Sequence, residues 1–207
     1  MHREAAYAIT GMGLRRLRER CARSDNPEDD MQNVEYKAEL RDPDLGRTIC
    51  GAIGAGWVAT FNQVDTYYRV PDARLKKRET EGHPTEWVFY QRASRARPKL
   101  STFTIYPEQM ARERFGATPL PVWCVVKKER SLYLSREGVR VHIDRVEGLG
   151  WFIEFEALIC PERNLAKCHE AIDQLRRAFA PAMGEPIACG YADLIAAEIA
   201  EGTAESA

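Results

Sequence analysis

The stretch NVEYKAEL at residues 33–40 decides the fold, because apolar and charged side chains alternate along its whole length. Side chains of a β-strand point alternately to two faces, so this stretch predicts a strand with one apolar and one charged face. The stretch WFIEFEAL at residues 151–158 repeats the pattern near the far end of the chain. Strand-like runs between the two place two or three Lys or Arg on a single face. Carboxylates and cations on shared faces suit a polyanion that binds together with divalent metal ions.

Length and composition limit the class of protein. The chain has 207 residues, of which 44% are hydrophobic, so one large domain with a substantial core is expected. Its 30 basic and 31 acidic residues give a net charge of -1, whereas strong nucleic-acid binders are usually basic overall. The longest apolar runs are too short for a membrane span. Six cysteines occur without a CxxC pair, which predicts reduced thiols and a cytoplasmic protein. From the balanced charge and the short apolar runs we expect no nucleic-acid or membrane partner.

The chain divides into three parts by composition. Residues 1–30 contain a basic run followed by an acidic, turn-rich break, and we expect a disordered or dispensable N-terminal extension. Residues 31–200 are expected to form the folded domain, and residues 201–207 a loose tail. Strands are predicted at residues 33–40, 62–69, 74–78, 87–92, 99–105, 122–134, 139–145 and 151–159. Helices are predicted at residues 43–57, 107–115, 161–180 and 191–199.

The predicted strands carry their charges on one face. Arg74, Lys76 and Arg78 share a face, as do Lys128 and Arg130. For a single strand, a solvated outer face is the usual explanation. The alternative is an α+β fold in which seven or eight antiparallel strands close into a barrel with their charged faces inward. Confined cations repel one another and need a counterion such as a phosphate chain, while amphipathic helices would cover the apolar outer faces.

Several motifs together resemble the CYTH superfamily, which takes its name from class IV adenylate cyclase and thiamine triphosphatase. Residues 33–37 are similar to the ExExK signature of that family, although Asn33 replaces the first Glu. The resemblance continues at residues 63–70, 74–78 and 128–133. It is clearest in the Arg-x-His-x-Asp, Glu-Gly-Leu-Gly and Glu-x-Glu motifs at residues 140–144, 147–150 and 154–156. Order and spacing agree over residues 31–200.

The resemblance implies an eight-stranded antiparallel β-barrel, called a triphosphate tunnel, with substrate and divalent metal in its lumen and helices on its flanks. The implied ligands of Mg²⁺ or Mn²⁺ are Glu35, Asp144, Glu154 and Glu156. The implied substrate-binding residues are Lys37, Arg69, Lys76, Arg78, Arg92, Lys128, Arg130 and Arg140. Glu35 and Lys37 are the implied catalytic residues. Asp65 and Tyr67 also fit the family's motif, but we interpret them as structural residues.

Two reactions fit such a tunnel. The first hypothesis is class IV adenylate cyclase activity, which converts ATP to cyclic AMP and pyrophosphate, because the motifs are most similar to that branch. The alternative is a triphosphatase that hydrolyses inorganic tripolyphosphate or thiamine triphosphate. Asn33 offers a neutral ligand where the family has Glu, so a non-catalytic module that binds polyphosphate or nucleotide is the third hypothesis. A homodimer is left open.

Overall fold

A computed structural model describes residues 30–116, 118 and 120–204 of the chain. The strands are β1 (Met31–Leu40), β2 (Gly56–Tyr68), β3 (Arg74–Thr80), β4 (Glu86–Arg92), β5 (Lys99–Pro107), β6 (Val122–Leu134), β7 (Arg140–Val146), β8 (Gly150–Leu158) and β9 (Met183–Pro186). The helices are α1 (Pro43–Ala52), α2 (Glu108–Phe115), α3 (Leu165–Phe179) and α4 (Tyr191–Ala204). Among the described residues, every helix is too short or too polar to span a lipid bilayer. The predicted N-terminal extension, apart from Asp30, lies outside the described part of the chain.

Eight of the strands form a closed antiparallel barrel. Neighbours around the sheet are β5, β4, β3, β2, β6, β7, β8 and β1, and β1 pairs with β5 to close the circle. On its other side β1 pairs with β8, where Tyr36 lies opposite Phe155. Past Glu35, β1 leaves β5 and pairs with β9, where Leu40 lies opposite Met183. The predicted α+β fold with an eight-stranded barrel and flanking helices is confirmed, and β9 is an addition that the sequence analysis does not predict.

The helix predicted at residues 43–57 ends earlier, at Ala52, so this boundary is corrected. Gly54 adopts a left-handed conformation with φ 71°, and a Cβ at this position would lie 2.7 Å from Arg136 Nε. Glycine accepts such a backbone conformation without strain, so the chain turns here instead of continuing the helix. β2 then begins at Gly56, six residues before the predicted strand.

The main hydrophobic core lies outside the barrel. The outward faces of β1, β7 and β8 are apolar and buried, and they share a cluster with residues of α1 and α3. Phe179 of α3 lies against Phe155 of β8, with ring centroids 5.2 Å apart. In α3, Cys168, Ile172 and Leu175 recur at helical spacing, which supplies the apolar face that covers the strands. Because these strands turn their apolar faces outward, their charged faces point into the lumen.

A second apolar cluster lies inside one end of the lumen, next to α4. Tyr191 and Ala192 at the start of α4 are buried, and the Tyr191 ring lies 5.0 Å from the Phe152 ring, centroid to centroid. Arg74 of β3 donates a hydrogen bond of 2.7 Å to Asp193. α4 is therefore anchored across this end of the lumen, and it continues to Ala204, into the predicted tail.

Candidate active site

The inward faces of the barrel strands carry a dense set of buried charges. Among the described residues, eight cationic and five acidic side chains on these faces are at most 21% exposed. The cations are Lys37, Lys76, Arg78, Arg92, Lys99, Lys128, Arg130 and Arg140, and the acids are Glu35, Asp65, Asp144, Glu154 and Glu156. With every group ionised, the cations exceed the carboxylates by three. The lumen therefore has a positive excess that an anion would offset.

Asp65 on β2 is shared by three cations from the neighbouring strands. Arg78 donates two hydrogen bonds to its carboxylate, at 2.7 and 2.8 Å. Lys76 Nζ donates to Oδ2 at 3.0 Å, and Lys128 Nζ donates to the same oxygen at 2.6 Å. Burial alone would raise the pKa of Asp65, but Arg78, Lys128 and Lys76 hold it well below its usual value. We call Asp65 with Lys76, Arg78 and Lys128 the cation cluster.

Arg130, two residues beyond Lys128 on β6, joins two carboxylates of the next strands, Asp144 of β7 and Glu154 of β8. It donates two hydrogen bonds to Asp144, at 2.7 and 2.6 Å, and a third to Glu154 at 2.7 Å. Tyr191 donates its hydroxyl hydrogen to Asp144 at 2.7 Å, and Lys37 Nζ lies 3.1 Å from Glu154. Burial would raise the pKa of Asp144, but Arg130 lowers it to about 2. Lys37 and Arg130 likewise hold the pKa of Glu154 well below its usual value, so both carboxylates are ionised at neutral pH. Both oxygens of Asp144 are already hydrogen-bonded.

Glu35 and Glu156 lie opposite each other on β1 and β8, so two carboxylates share one level of the lumen. Arg92 donates a hydrogen bond to Glu35, and Arg140 lies 3.0 Å from Glu156. Burial raises the pKa of Glu35, and the nearby Glu154 and Glu156 add to the effect while Arg92 opposes it. A divalent cation at this level would remove the repulsion between the carboxylates.

The residues at this level fit a divalent metal ion. Single ligand atoms of His142, Glu154 and Glu156 all lie within 4.8 Å of one another. Within the described part of the chain, the buried atoms His142 Nδ1 and Asn33 Oδ1 have no hydrogen-bond partner. Carboxylate and amide oxygens are the ligands that Mg²⁺ and Mn²⁺ prefer. The structure thus brings Glu154 and Glu156 together, whereas Asp144 is engaged by Arg130 and Tyr191.

The structure leaves one predicted site residue apart, and it adds Lys99 and Tyr191 to the residues described above. Arg69 is exposed just beyond the end of β2, so it does not join the other predicted cations. Lys99 is fully buried, and its Nζ donates to the carbonyl of Ala188 at 2.7 Å and lies 3.9 Å from Glu35. Alternation in the predicted strand at residues 99–105 could have placed Lys99 inward. Tyr191 stands at the start of a predicted helix, where no motif marks it as part of the site.

The CYTH domain family matches residues 31–182 of the chain. No curated protein sequence matches it. Among solved structures, a conserved hypothetical protein of Pyrococcus furiosus is 20% identical, with a TM-score of 0.62, and the match covers 78% of this chain and 99% of that one. A candidate adenylate cyclase of Vibrio parahaemolyticus is 20% identical, with a TM-score of 0.60 over 79% of this chain and 97% of that one.

A third similar structure is HpAC1 of Hippeastrum, a candidate adenylyl cyclase with a dominant triphosphatase activity. It is 14% identical, with a TM-score of 0.50, and the match covers 76% of this chain and 91% of that one. At these identities the likeness is one of fold. The family's domain, in contrast, matches more than half of the sequence, from β1 to the residue before β9. The chain therefore belongs to the CYTH domain family.

Proposed function

We propose that the chain is a metal-dependent phosphohydrolase that releases the terminal phosphate of small triphosphates bound in the lumen. The observation that carries this proposal is the excess of three cations over carboxylates among the buried inward side chains. A triphosphate supplies the missing negative charge along a row of oxygens that accept hydrogen bonds from Arg and Lys. Candidate substrates are tripolyphosphate, thiamine triphosphate and ATP. The five described cysteines are free, which supports the predicted cytoplasmic location.

The cation cluster would bind the phosphate chain. Lys76 and Lys128 both donate to Oδ2 of Asp65, so one of them can turn to a phosphate oxygen without leaving the carboxylate unpaired. Arg78 keeps its two bonds to Asp65 and so fixes the position of the cluster. Cations that are already in place stabilise the negative charge of the transition state without further reorganisation.

The carboxylates of β8 would hold the divalent ion, Mg²⁺ or Mn²⁺, through Glu154 and Glu156, with Glu35 of the neighbouring strand β1 beside them. When bound, the ion would offset charge on the phosphoryl oxygens and activate the attacking nucleophile. Lys37 and Arg130 keep Glu154 ionised and fixed through the contacts described above. Positioning of this kind accounts for much of phosphoryl-transfer catalysis.

Cyclisation of ATP is the second candidate, and the similarity of the motifs to the class IV cyclase branch favours it. That reaction requires a site for adenine and ribose as well as for the triphosphate. The apolar end of the lumen would suit the adenine base. That end is already filled by Tyr191, Leu194 and Ile195 of α4, which pack against the strands. Hydrolysis needs no site for adenine and ribose, only the charged groups of the lumen and a divalent ion. We therefore propose hydrolysis as the main reaction.

An assay with three substrates distinguishes these reactions. The protein is incubated with ATP, thiamine triphosphate or tripolyphosphate, each with Mg²⁺ or Mn²⁺, and cyclic AMP, pyrophosphate and orthophosphate are quantified separately. Orthophosphate from tripolyphosphate is the expected result. Formation of cyclic AMP with an equal amount of pyrophosphate from ATP would show that the reaction is cyclisation and not hydrolysis. Tight binding without any product would leave a non-catalytic polyphosphate-binding module, and absence of binding would exclude all three functions.

Triphosphate binding should draw protons into the lumen. The pKa of Lys128 is lowered to about 7 and that of Lys76 to about 8, chiefly by burial; the neighbouring Arg78 contributes to both shifts, and Asp65 opposes them. At pH 8 these two lysines are therefore partly deprotonated in the empty lumen. A bound triphosphate favours their charged forms, so we expect an uptake of about one proton per triphosphate. Affinity should fall as pH rises from 7 to 9. Calorimetry in buffers of different ionisation enthalpy measures the uptake directly.

The matched control for this measurement is Lys128→Arg, which keeps the charge but does not titrate in this range. Protonation of the triphosphate itself is the same for both proteins, so the difference between them belongs to Lys128. Equal proton uptake by the native protein and the variant would show that Lys128 is already charged in the empty lumen.

A further inference from the structure

His142 lies on the inward face of β7, opposite Glu154 of β8. Its side chain is 5% exposed, and its Nδ1 has no hydrogen-bond partner among the described residues. This nitrogen is 3.6 Å from Glu154 Oε2 and 3.7 Å from Glu156 Oε1. Both distances are too long for hydrogen bonds. Adjacent ligands of one ion, each about 2.1 Å from it, are roughly 3.0–3.4 Å apart, so small side-chain shifts would complete a site between the three atoms.

His142 Nδ1 has no hydrogen-bond partner among the described residues, and Glu154 Oε2 accepts a hydrogen bond of 2.7 Å from Arg130, which an ion would replace. Glu154 Oε1 is held by Lys37, and Glu156 Oε2 is held by Arg140. If Glu154 Oε2 turned to an ion, Arg130 would still keep its two hydrogen bonds to Asp144. No buried charge would therefore lose its last partner when an ion binds.

We propose that His142 Nδ1 is a ligand of the divalent ion together with Glu154 and Glu156, and that the lumen selects a transition-series ion such as Mn²⁺ over Mg²⁺. The proposal rests on the proposed function only for the presence of a metal in the lumen. Mg²⁺ prefers a shell of oxygen ligands and sheds its waters reluctantly, whereas transition-series ions accept imidazole nitrogen. A nitrogen beside two carboxylates thus lowers the affinity for Mg²⁺ relative to Mn²⁺.

The test uses the full chain with Mn²⁺ alone and no triphosphate. Electron-spin-echo modulation reports whether a nitrogen nucleus is bonded to the bound Mn²⁺, and titrations followed by the signal of free Mn²⁺ give the dissociation constant, with Mg²⁺ as competitor. We expect nitrogen coupling in the native protein and none in His142→Gln. We also expect the variant to bind Mn²⁺ about 10–100-fold more weakly, while its Mg²⁺ constant changes much less. His169→Gln, on α3 and away from the lumen, is the matched control and should behave like the native protein.

Two results would overturn the inference. One is Mn²⁺ bound to the native protein without nitrogen coupling, and the other is an equal loss of Mn²⁺ and Mg²⁺ affinity in His142→Gln. The first measurement needs no variant, so it decides the matter even if His142→Gln fails to fold. Nitrogen coupling in a protein that turns over no triphosphate would remove the proposed function and keep the metal ligand. Turnover of triphosphate with Mn²⁺ bound only to oxygen ligands would support the proposed function and reject His142 as a ligand.

Discussion

Replacing Asp65 by Asn will lower the free energy of unfolding by about 3–5 kcal/mol, the range for removing one member of a buried ion pair. Asn has the same shape, but it takes away the charge shared by Lys76, Arg78 and Lys128, all of which lie in the lumen. Urea denaturation at pH 7 measures the loss. Tripolyphosphate should stabilise this variant more than the native protein, because the anion replaces the missing carboxylate as counterion.

The matched control for Asp65 is Glu79→Gln. Glu79 pairs with Lys77 at 3.1 Å on the outer surface, where the two side chains are 50% and 27% exposed. Pairs exposed to this degree contribute about 1 kcal/mol or less, so the control should stay close to the native stability. An Asp65→Asn chain as stable as the control would contradict the assignment of Asp65 as the counterion that stabilises the cation cluster.

Replacing both Glu154 and Glu156 by Gln should lower turnover about a thousandfold, the size of effect seen when one group that stabilises a transition state is removed. The two residues stand on one inward face of β8, and Gln keeps their volume while removing the charge that holds a divalent ion. Arg130 retains Asp144 as a partner, but Lys37 and Arg140 lose the carboxylates that they contact, so we expect a folded barrel of lower stability. Orthophosphate release, followed together with far-ultraviolet circular dichroism, separates loss of chemistry from loss of structure.

Glu129→Gln is the control for the double variant, because Glu129 is exposed on the outer face of β6. It removes a carboxylate from the same barrel without touching the lumen, and its turnover should equal that of the native protein. Full turnover in the Glu154→Gln, Glu156→Gln protein would contradict the assignment of these residues to the metal.

The barrel could be predicted because its signal is local. Alternation at residues 33–40 and 151–158 is repeated in β1 and β8, and the two strands pair so that Lys37 lies opposite Glu154. The helical spacing of α3 is equally local. β9 has no such pattern: it contains Gly184 and Pro186, and it is a strand only because the second half of β1 offers it unpaired backbone groups.

Pairing between distant strands could not be predicted from one sequence. Alternation along a strand predicts the face on which a cation lies, but not which carboxylate of another strand it contacts. The sequence therefore predicts a lumen of mutually repelling cations. In the structure each inward carboxylate contacts at least one cation, and Asp65 contacts three. Tyr191 was missed for the same reason, since only the path of the C-terminal segment brings it to Asp144. Arg69 is among the residues that the family resemblance implies, and a resemblance by position does not show that β2 ends one residue before it.

The seam between β1 and β8 has a consequence during synthesis. Tyr36 cannot pair with Phe155 until β8 has been synthesised. The apolar face of β1 therefore stays uncovered while the ribosome makes the rest of the barrel and then α3. At bacterial or eukaryotic elongation rates, the roughly 120 residues between the end of β1 and the end of β8 take about 6–24 seconds. Pairings between residues so far apart in the chain also form slowly, because closing a long loop costs entropy before any contact forms. The yield of folded protein from a cell therefore depends on what shields this strand during those seconds.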